Sequence, residues 1–231
     1  MRMVSYLPLS HIAGLQSDLV GTMLAGSTIF FARPDALQGT LTASIQWAKP
    51  TLFFTVPRVW EKFEDALKAA GKAAPAIAQK LSGWAKGHGY KKVMDGTKGI
   101  EPGFMYGVAN AIVLTKIKKA LGFEECRLFF YGAAPLKQSS VEYFASIDMP
   151  LMNMYGLSET TGSATVNSPN DFSLDHCGEM LAGTHIKITE QDAEGKGEIR
   201  IAGRHIMMGY LKNEKATLEV IDEDGYFRTG D

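Results

Sequence analysis

Leu128-Phe129-Phe130-Tyr131-Gly132-Ala133-Ala134-Pro135 opens the stretch that decides the fold, and Pro150-Leu151-Met152-Asn153-Met154-Tyr155-Gly156-Leu157-Ser158-Glu159-Thr160-Thr161-Gly162 closes it. The first run is a β-rich strand ending in a turn of small residues. Between the two runs, Ser139 with Glu142 fits a capping box, and Val141, Phe144, Ala145 and Ile147 fall on one helical face. The second run is a short buried strand that continues into a polar loop. A strand–helix–strand crossover makes its two strands parallel. Their carboxyl ends then share one rim, which is where open α/β sheets bind ligands. The Gly132–Pro135 turn and the Tyr155–Gly162 loop are therefore expected to be neighbours in space.

The loop itself carries chemistry. Gly156 and Gly162 allow backbone conformations and close approaches that a side chain forbids. Tyr155 offers a flat face for stacking on a base, and Glu159 offers the hard oxygen that Mg²⁺ prefers. Taken alone, these features fit a polar turn equally well.

Upstream, strand and helix signals alternate. Val4 to Leu7 reads as a strand, and Leu15, Leu19, Val20, Met23 and Leu24 repeat at helical spacing before Gly26. Thr28–Phe31 is a second strand, a short helix follows around Leu41, Ile45 and Ala48, and Thr51–Thr55 is a third strand. Pro57-Arg58 opens a helix with Val59, Trp60, Phe63 and Leu67 on one face, where Trp60 reads as core. Residues 71–103 are rich in Lys, Gly and Ala and read as a partly helical, exposed insertion. A further helix runs through Ile112, Ile117 and Leu121, with Lys116, Lys118 and Lys119 on a solvated face near its negative end. Beyond about residue 180 the pattern becomes β only. Ile186 and Ile188 alternate with polar residues, as do Ile199 and Ile201, on either side of the turn Asp192–Gly197. Asp222-Glu223-Asp224-Gly225 turns again before Tyr226–Thr229. The expected architecture is an α/β portion over 1–180, with 71–103 as its insertion, and a β-rich, small barrel-like subdomain over 181–231.

Composition excludes several classes. The 231 residues are 45% hydrophobic with a net charge of −1, an ordinary globular balance that gives no overall electrostatic case for nucleic acid or an anionic membrane. The two cysteines, Cys126 and Cys177, show no C-x-x-C spacing; a reducing compartment is the simpler reading, although the two could pair. The five histidines show no metal-ligand spacing. The N-terminus lacks a signal-peptide apolar region, and no apolar run is long enough to cross a membrane. Both ends break off beside strands, so a piece of a larger domain is expected.

Five segments line up in order: Tyr6–Gly14, Gly132–Pro135, Tyr155–Gly162, Gly197–Ile201 with Gly209-Tyr210-Leu211, and Gly225–Asp231. Their order and spacing resembles the acyl-adenylate-forming (AMP-binding) superfamily of acyl-CoA synthetases, luciferases and adenylation domains, over essentially the whole chain. Val56-Pro57-Arg58-Val59-Trp60-Glu61-Lys62 is similar to the long-chain fatty acyl-CoA synthetases. With Ser5–His11 and Tyr155–Glu159, it is most similar to the bubblegum-type branch.

The resemblance implies part of the large N-terminal domain of an enzyme that activates a long-chain fatty acid with ATP and passes the acyl group to CoA. Tyr155 would stack on adenine, with Gly132, Ala133 and Ala134 as the other wall and Gly156 beside it. Ser158 would bond the α-phosphate, Glu159 would hold Mg²⁺, and Asp231 would accept from both ribose hydroxyls, a task suited to a carboxylate. His11 would lie beside the fatty acid carboxylate and the reacting phosphate. At the last position of the chain, Asp231 is expected to be unrestrained. Met154 stands where many relatives have Gly, which would narrow or redirect the acyl channel. The implied partners are small molecules, with peripheral membrane association and no nucleic acid. The implied location is cytoplasmic, at the endoplasmic reticulum surface. By itself the polypeptide is expected to be inactive, because the family's phosphate loop and C-terminal lysine domain are not among its residues. Two alternatives stay open: a shortened, non-catalytic homologue that binds nucleotide, acyl-CoA or a protein, and an adenylating ligase for another carboxylic acid.

Overall fold

The computed structural model describes residues 1–231. The strands are β1 (Arg2–Ser5), β2 (Thr28–Phe31), β3 (Leu52–Thr55), β4 (Leu128–Gly132), β5 (Leu151–Leu157), β6 (Gly162–Val166), β7 (Glu179–Met180), β8 (Thr184–Thr189), β9 (Glu198–Gly203) and β10 (Phe227–Arg228). They form a parallel pair β1-β2, a five-stranded sheet β3-β4-β5-β6-β7 and an antiparallel sheet β10-β9-β8.

β4 and β5 pair in parallel with Gly132 opposite Met154, and helix Gln138–Ser146 crosses between them. The turn after β4 and the end of β5 thus share one rim, as the sequence implies. Strand alternation then splits the apolar residues between two faces. Phe53, Phe129 and Leu151 point into the core beneath the helices, where Trp60, Phe123 and Phe144 are fully buried. Trp60 meets Phe144 at 5.0 Å and donates its ring N–H to the Phe130 carbonyl at 3.1 Å, so the one polar atom of the largest core side chain is satisfied. Leu52, Phe54 and Phe130, on the opposite face, line a cavity.

Several elements differ from expectation. Residues 71–103 are not simply exposed. Helix Ala76–Gly96 buries Ala85, Gly89 and Val93, and a Cβ at Gly89 would stand 2.2 Å from the Ser146 carbonyl oxygen. Glycine is what lets this helix press onto the end of Gln138–Ser146. The capping box does not form: that helix starts at Gln138, with Lys137 at its N-cap, two residues early, so Ser139 is already helical and Gln138 bonds Glu142 instead, at 3.3 Å. Helix Glu214–Val220, capped by Asn213 accepting from the Ala216 N–H, interrupts the β-only C-terminal stretch. The stretch after Met154 is no loop either. β5 runs on to Leu157 and turns back as β6, so Tyr155 and Gly156 sit in a strand. Both cysteines are unpaired, Cys126 buried and Cys177 half-buried.

The helical stretch 12–24 also turns its faces the other way. Leu15, Val20, Met23 and Leu24 are exposed, whereas Asp18 and Thr22 are buried. Its middle, Leu15–Val20, is a π-helical segment, the kind of irregularity that re-aims side chains near sites.

Lys118 is half-buried and paired, not on a freely solvated face. Its ammonium lies 2.7 Å from Asp148 Oδ2, which also accepts from the Tyr106 hydroxyl at 2.9 Å, while Lys92 reaches Oδ1 at 2.9 Å. Asp148 is buried, in the left-handed region at φ 59°, just beyond helix Gln138–Ser146. It therefore ties two long helical stretches to the crossover. Asp148→Asn removes the charge both lysines share and is expected to lower unfolding stability by about 1–3 kcal/mol, discounted because the lysines can still reach water. Urea titration measures it, and an unchanged midpoint and slope would show that the cluster contributes nothing.

Candidate active site

A cavity of about 550 Å³ opens between the stretch 12–24 and the sheet rim. His11, Gly132, Ala133, Gly156, Ser158 and Glu159 all line it, although they come from separate parts of the chain. Apolar side chains form another part of its lining: Leu52, Phe54, Phe130 and Met154, with Met1 and Met3. Met154, opposite Gly132 in the β4–β5 pairing, belongs to this apolar wall.

His11 caps the first helical turn: its Nδ1 accepts from the Ala13 N–H at 3.1 Å, which leaves Nε2 free and the ring exposed. Gly132 ends β4, and Ala133 follows in the left-handed region at φ 69°, exposed together with Ala134. A Cβ at Gly156 would lie 1.9 Å from the Gly162 carbonyl oxygen, so the β5–β6 hairpin closes only around a glycine. Its pairing shifts register between Tyr155 and Gly156, and such a bulge re-aims the turn Ser158–Thr161 toward the cavity. Thr160 braces that turn, accepting from the Leu157 N–H at 2.9 Å and donating to the Gly162 carbonyl at 2.7 Å.

The turn is also docked from below by the C-terminal part. Tyr210 donates its hydroxyl to Glu159 Oε1 at 2.8 Å, the Met207 N–H donates to the Glu159 carbonyl at 2.8 Å, and Thr161 donates to the His205 carbonyl at 2.5 Å. The hydrogen bond to Glu159 raises the Tyr210 phenol above its ordinary range, so Tyr210 stays a donor. Tyr155 and Asp231 do not line the cavity; they pair with each other, the Tyr155 hydroxyl donating to Asp231 Oδ2 at 2.7 Å. Burial is the main cause that holds the Tyr155 phenol well above its usual range, with the Asp231 carboxylate adding to it. Asp231 is held rather than loose: its N–H also reaches Thr229 Oγ1 at 3.2 Å and its carbonyl accepts from the Ile199 N–H at 3.2 Å.

Three further residues shape this site. Gln16 lines the cavity, and its Oε1 accepts from the Ser163 N–H at 3.4 Å, linking the helical wall to the hairpin. Behind it lies Asp18, 3% exposed, whose carboxyl burial pushes above the ordinary range despite its bond from Ser17 at 2.6 Å. Tyr210 is the third. It stands in a recognised motif, yet nothing local shows which residue its hydroxyl meets.

No group of three His, Cys, Asp or Glu side chains gathers as a metal cage. Glu159 alone, with Oε1 taken by Tyr210, fits the case in which Mg²⁺ is held mainly by phosphates and water and by one carboxylate.

The family model of AMP-binding enzymes matches residues 1–211. The long-chain-fatty-acid–CoA ligase ACSBG2 of Xenopus laevis is 42% identical over 229 residues, 99% of this chain and 31% of that protein. The human long-chain-fatty-acid–CoA ligase ACSBG1 is 40% identical over 228 residues, 99% of this chain and 32% of that protein. The chain thus spans about a third of the length of the curated relatives it matches. Among solved structures, the A domain of a carboxylic acid reductase from Segniliparus rugosus, in complex with AMP and a co-purified carboxylic acid, superposes with TM-score 0.65 at 23% identity, over 99% of this chain and 32% of that one. The N-terminal domain of FACL13 from Mycobacterium tuberculosis gives 0.64 at 18%, over 100% and 47%. These likenesses show the fold.

Proposed function

The chain belongs to the AMP-binding enzyme family, and from that premise we propose that it serves in the ATP-dependent activation of a long-chain fatty acid to its acyl-CoA, through an acyl-adenylate. The observation that carries this reading is one cavity whose lining joins polar groups of the sheet rim to an apolar wall. A fatty acid fits such a space with its carboxylate beside His11 and its chain along Phe54, Phe130 and Met154. On this reading residues 1–180 are the α/β portion and 181–231 a β-rich subdomain.

The roles follow from each group's chemistry. Tyr155 and the Gly132-Ala133-Ala134 turn would sandwich adenine, small side chains leaving room for the ring, while Gly156 lets the backbone approach it. Asp231, positioned by the Tyr155 hydroxyl, would take the ribose hydroxyls. Ser158, exposed at the rim, would donate to the α-phosphate, and the free Nε2 of His11 would meet the oxygens between which the new bond forms. Glu159 would hold Mg²⁺, which when bound offsets charge on the phosphates as pyrophosphate leaves. The CoA thiolate would then take the acyl group from the adenylate, with AMP leaving. The remaining parts of the reading are a cytoplasmic location at the endoplasmic reticulum surface, peripheral membrane contact and no nucleic acid partner.

The test is palmitate-dependent ATP–pyrophosphate exchange by the natural protein, with aryl and amino acids in parallel. Exchange with palmitate supports the ligase; exchange with only another acid changes the substrate class; none with any acid favours a binding homologue. Tyr155→Ala is expected to raise the KM for ATP about tenfold with a smaller effect on kcat, because stacking stabilises bound nucleotide in every state. A changed KM for fatty acid with unchanged KM for ATP would put Tyr155 on the wrong wall.

A further inference from the structure

The overall charge balance predicts no pull toward an anionic membrane, but charge is unevenly spread over this molecule. Residues 66–121 hold ten lysines and two acidic side chains, Asp95 and Glu101, an excess of eight positive charges in a chain whose net charge is −1. Ion pairs occupy Lys68, Lys91, Lys92 and Lys118. Lys98, Lys116 and Lys119 are exposed and form no ion pair. Beside them large apolar side chains stand in water: Ile100 and Phe104 are 51% and 85% exposed, and Met105 and Ile112 are exposed as well. Exposed positions recur at 104, 105, 107, 111, 112, 115, 116, 119 and 120, one broad stripe along the helical stretch 104–121. Its first half is apolar and its second half basic.

We infer that this stripe docks on a lipid bilayer bearing anionic headgroups, with Phe104, Met105 and Ile112 entering the interface and Lys98, Lys116 and Lys119 meeting the headgroups. The inference names the surface for the membrane contact proposed above, but it rests on charge and exposure and not on the ligase chemistry. An intramolecular cover would have to bury unpaired lysines, which are almost never fully buried. Whatever covers this surface must offer anionic groups and apolar depth together, the two properties of an anionic bilayer surface. No helix here is long and apolar enough to cross a membrane.

The protein, purified, is sedimented with phosphatidylcholine vesicles and with vesicles carrying about 30% phosphatidylserine. Wild type is expected to bind the anionic vesicles at least about tenfold more tightly, with binding weakening as salt rises. The triple variant Lys98→Glu, Lys116→Glu, Lys119→Glu is expected to lose that preference, while far-UV circular dichroism and melting stay unchanged. The Phe104→Trp variant is expected to shift its emission to the blue on adding anionic vesicles only. Vesicle binding that the triple variant leaves intact, or no binding by folded wild type, overturns the inference. So does emission from the Phe104→Trp variant that anionic vesicles leave unmoved. Displacement from the vesicles by nucleic acid at equal charge, with no emission shift, would reassign the surface to a polyanion. Fatty acid–dependent exchange measured on the same preparations separates this outcome from the fate of the ligase reading.

Discussion

Glu159→Gln in the natural protein is expected to cut fatty acid–dependent pyrophosphate exchange by about 10²-fold or more, through loss of metal-assisted charge stabilisation worth several kcal/mol. The substitution is a clean one. Gln keeps the shape of Glu159, and its carbonyl can still accept from the Tyr210 hydroxyl now 2.8 Å from Oε1. The backbone bond from the Met207 N–H to the residue 159 carbonyl is untouched. The turn should stay docked and melting should be nearly unchanged. What is lost is the negative charge facing the cavity. Exchange at the wild-type rate in a normally folded variant would rule out the metal role; activity restored by raised Mg²⁺ would confirm that the affinity for metal was what fell.

Gly156→Ala should have a comparable effect by a different route. A Cβ there would lie 1.9 Å from the Gly162 carbonyl oxygen, inside any tolerable contact, and that oxygen belongs to backbone that also accepts from Thr160. The β5–β6 hairpin has to open to admit a methyl group. We expect a loss of about 3 kcal/mol of unfolding stability together with loss of adenylation, since the turn carrying Ser158 and Glu159 moves with the hairpin. Urea denaturation and the exchange assay read the two effects. Wild-type stability in this variant would mean that β5 and β6 can pair without the close approach.

Much of this was legible in the chain. The crossover from β4 to β5 follows from two β-rich runs flanking a helical pattern, and chain connectivity then makes the strands parallel and their ends neighbours. This local chemistry is enough to single out the Gly132–Pro135 turn and the Tyr155–Gly162 segment. Local pattern misled where it was short or two-sided. Tyr155 and Gly156 read as loop because glycine and polar residues suggest turns, whereas pairing with β6 carries the strand on to Leu157. The apolar residues of 12–24 repeat at helical spacing, yet the buried face holds Asp18 and Thr22, because what a helix buries is decided by its neighbours and not by its own periodicity. Lys118 read as solvated because Asp148, thirty positions away, reaches it only once the helices pack.

Residue order was thus enough for the α/β class, the parallel crossover and the residue types at the rim, all of which depend on contacts within a few turns of chain. It took the packed molecule to set His11 and Ser158 around one cavity, to hold Glu159 with Tyr210, and to pair Tyr155 with Asp231 across 76 positions. Those pairings depend on how separate elements are set against one another. That placement follows from burial summed over the whole core, which no single stretch of sequence records.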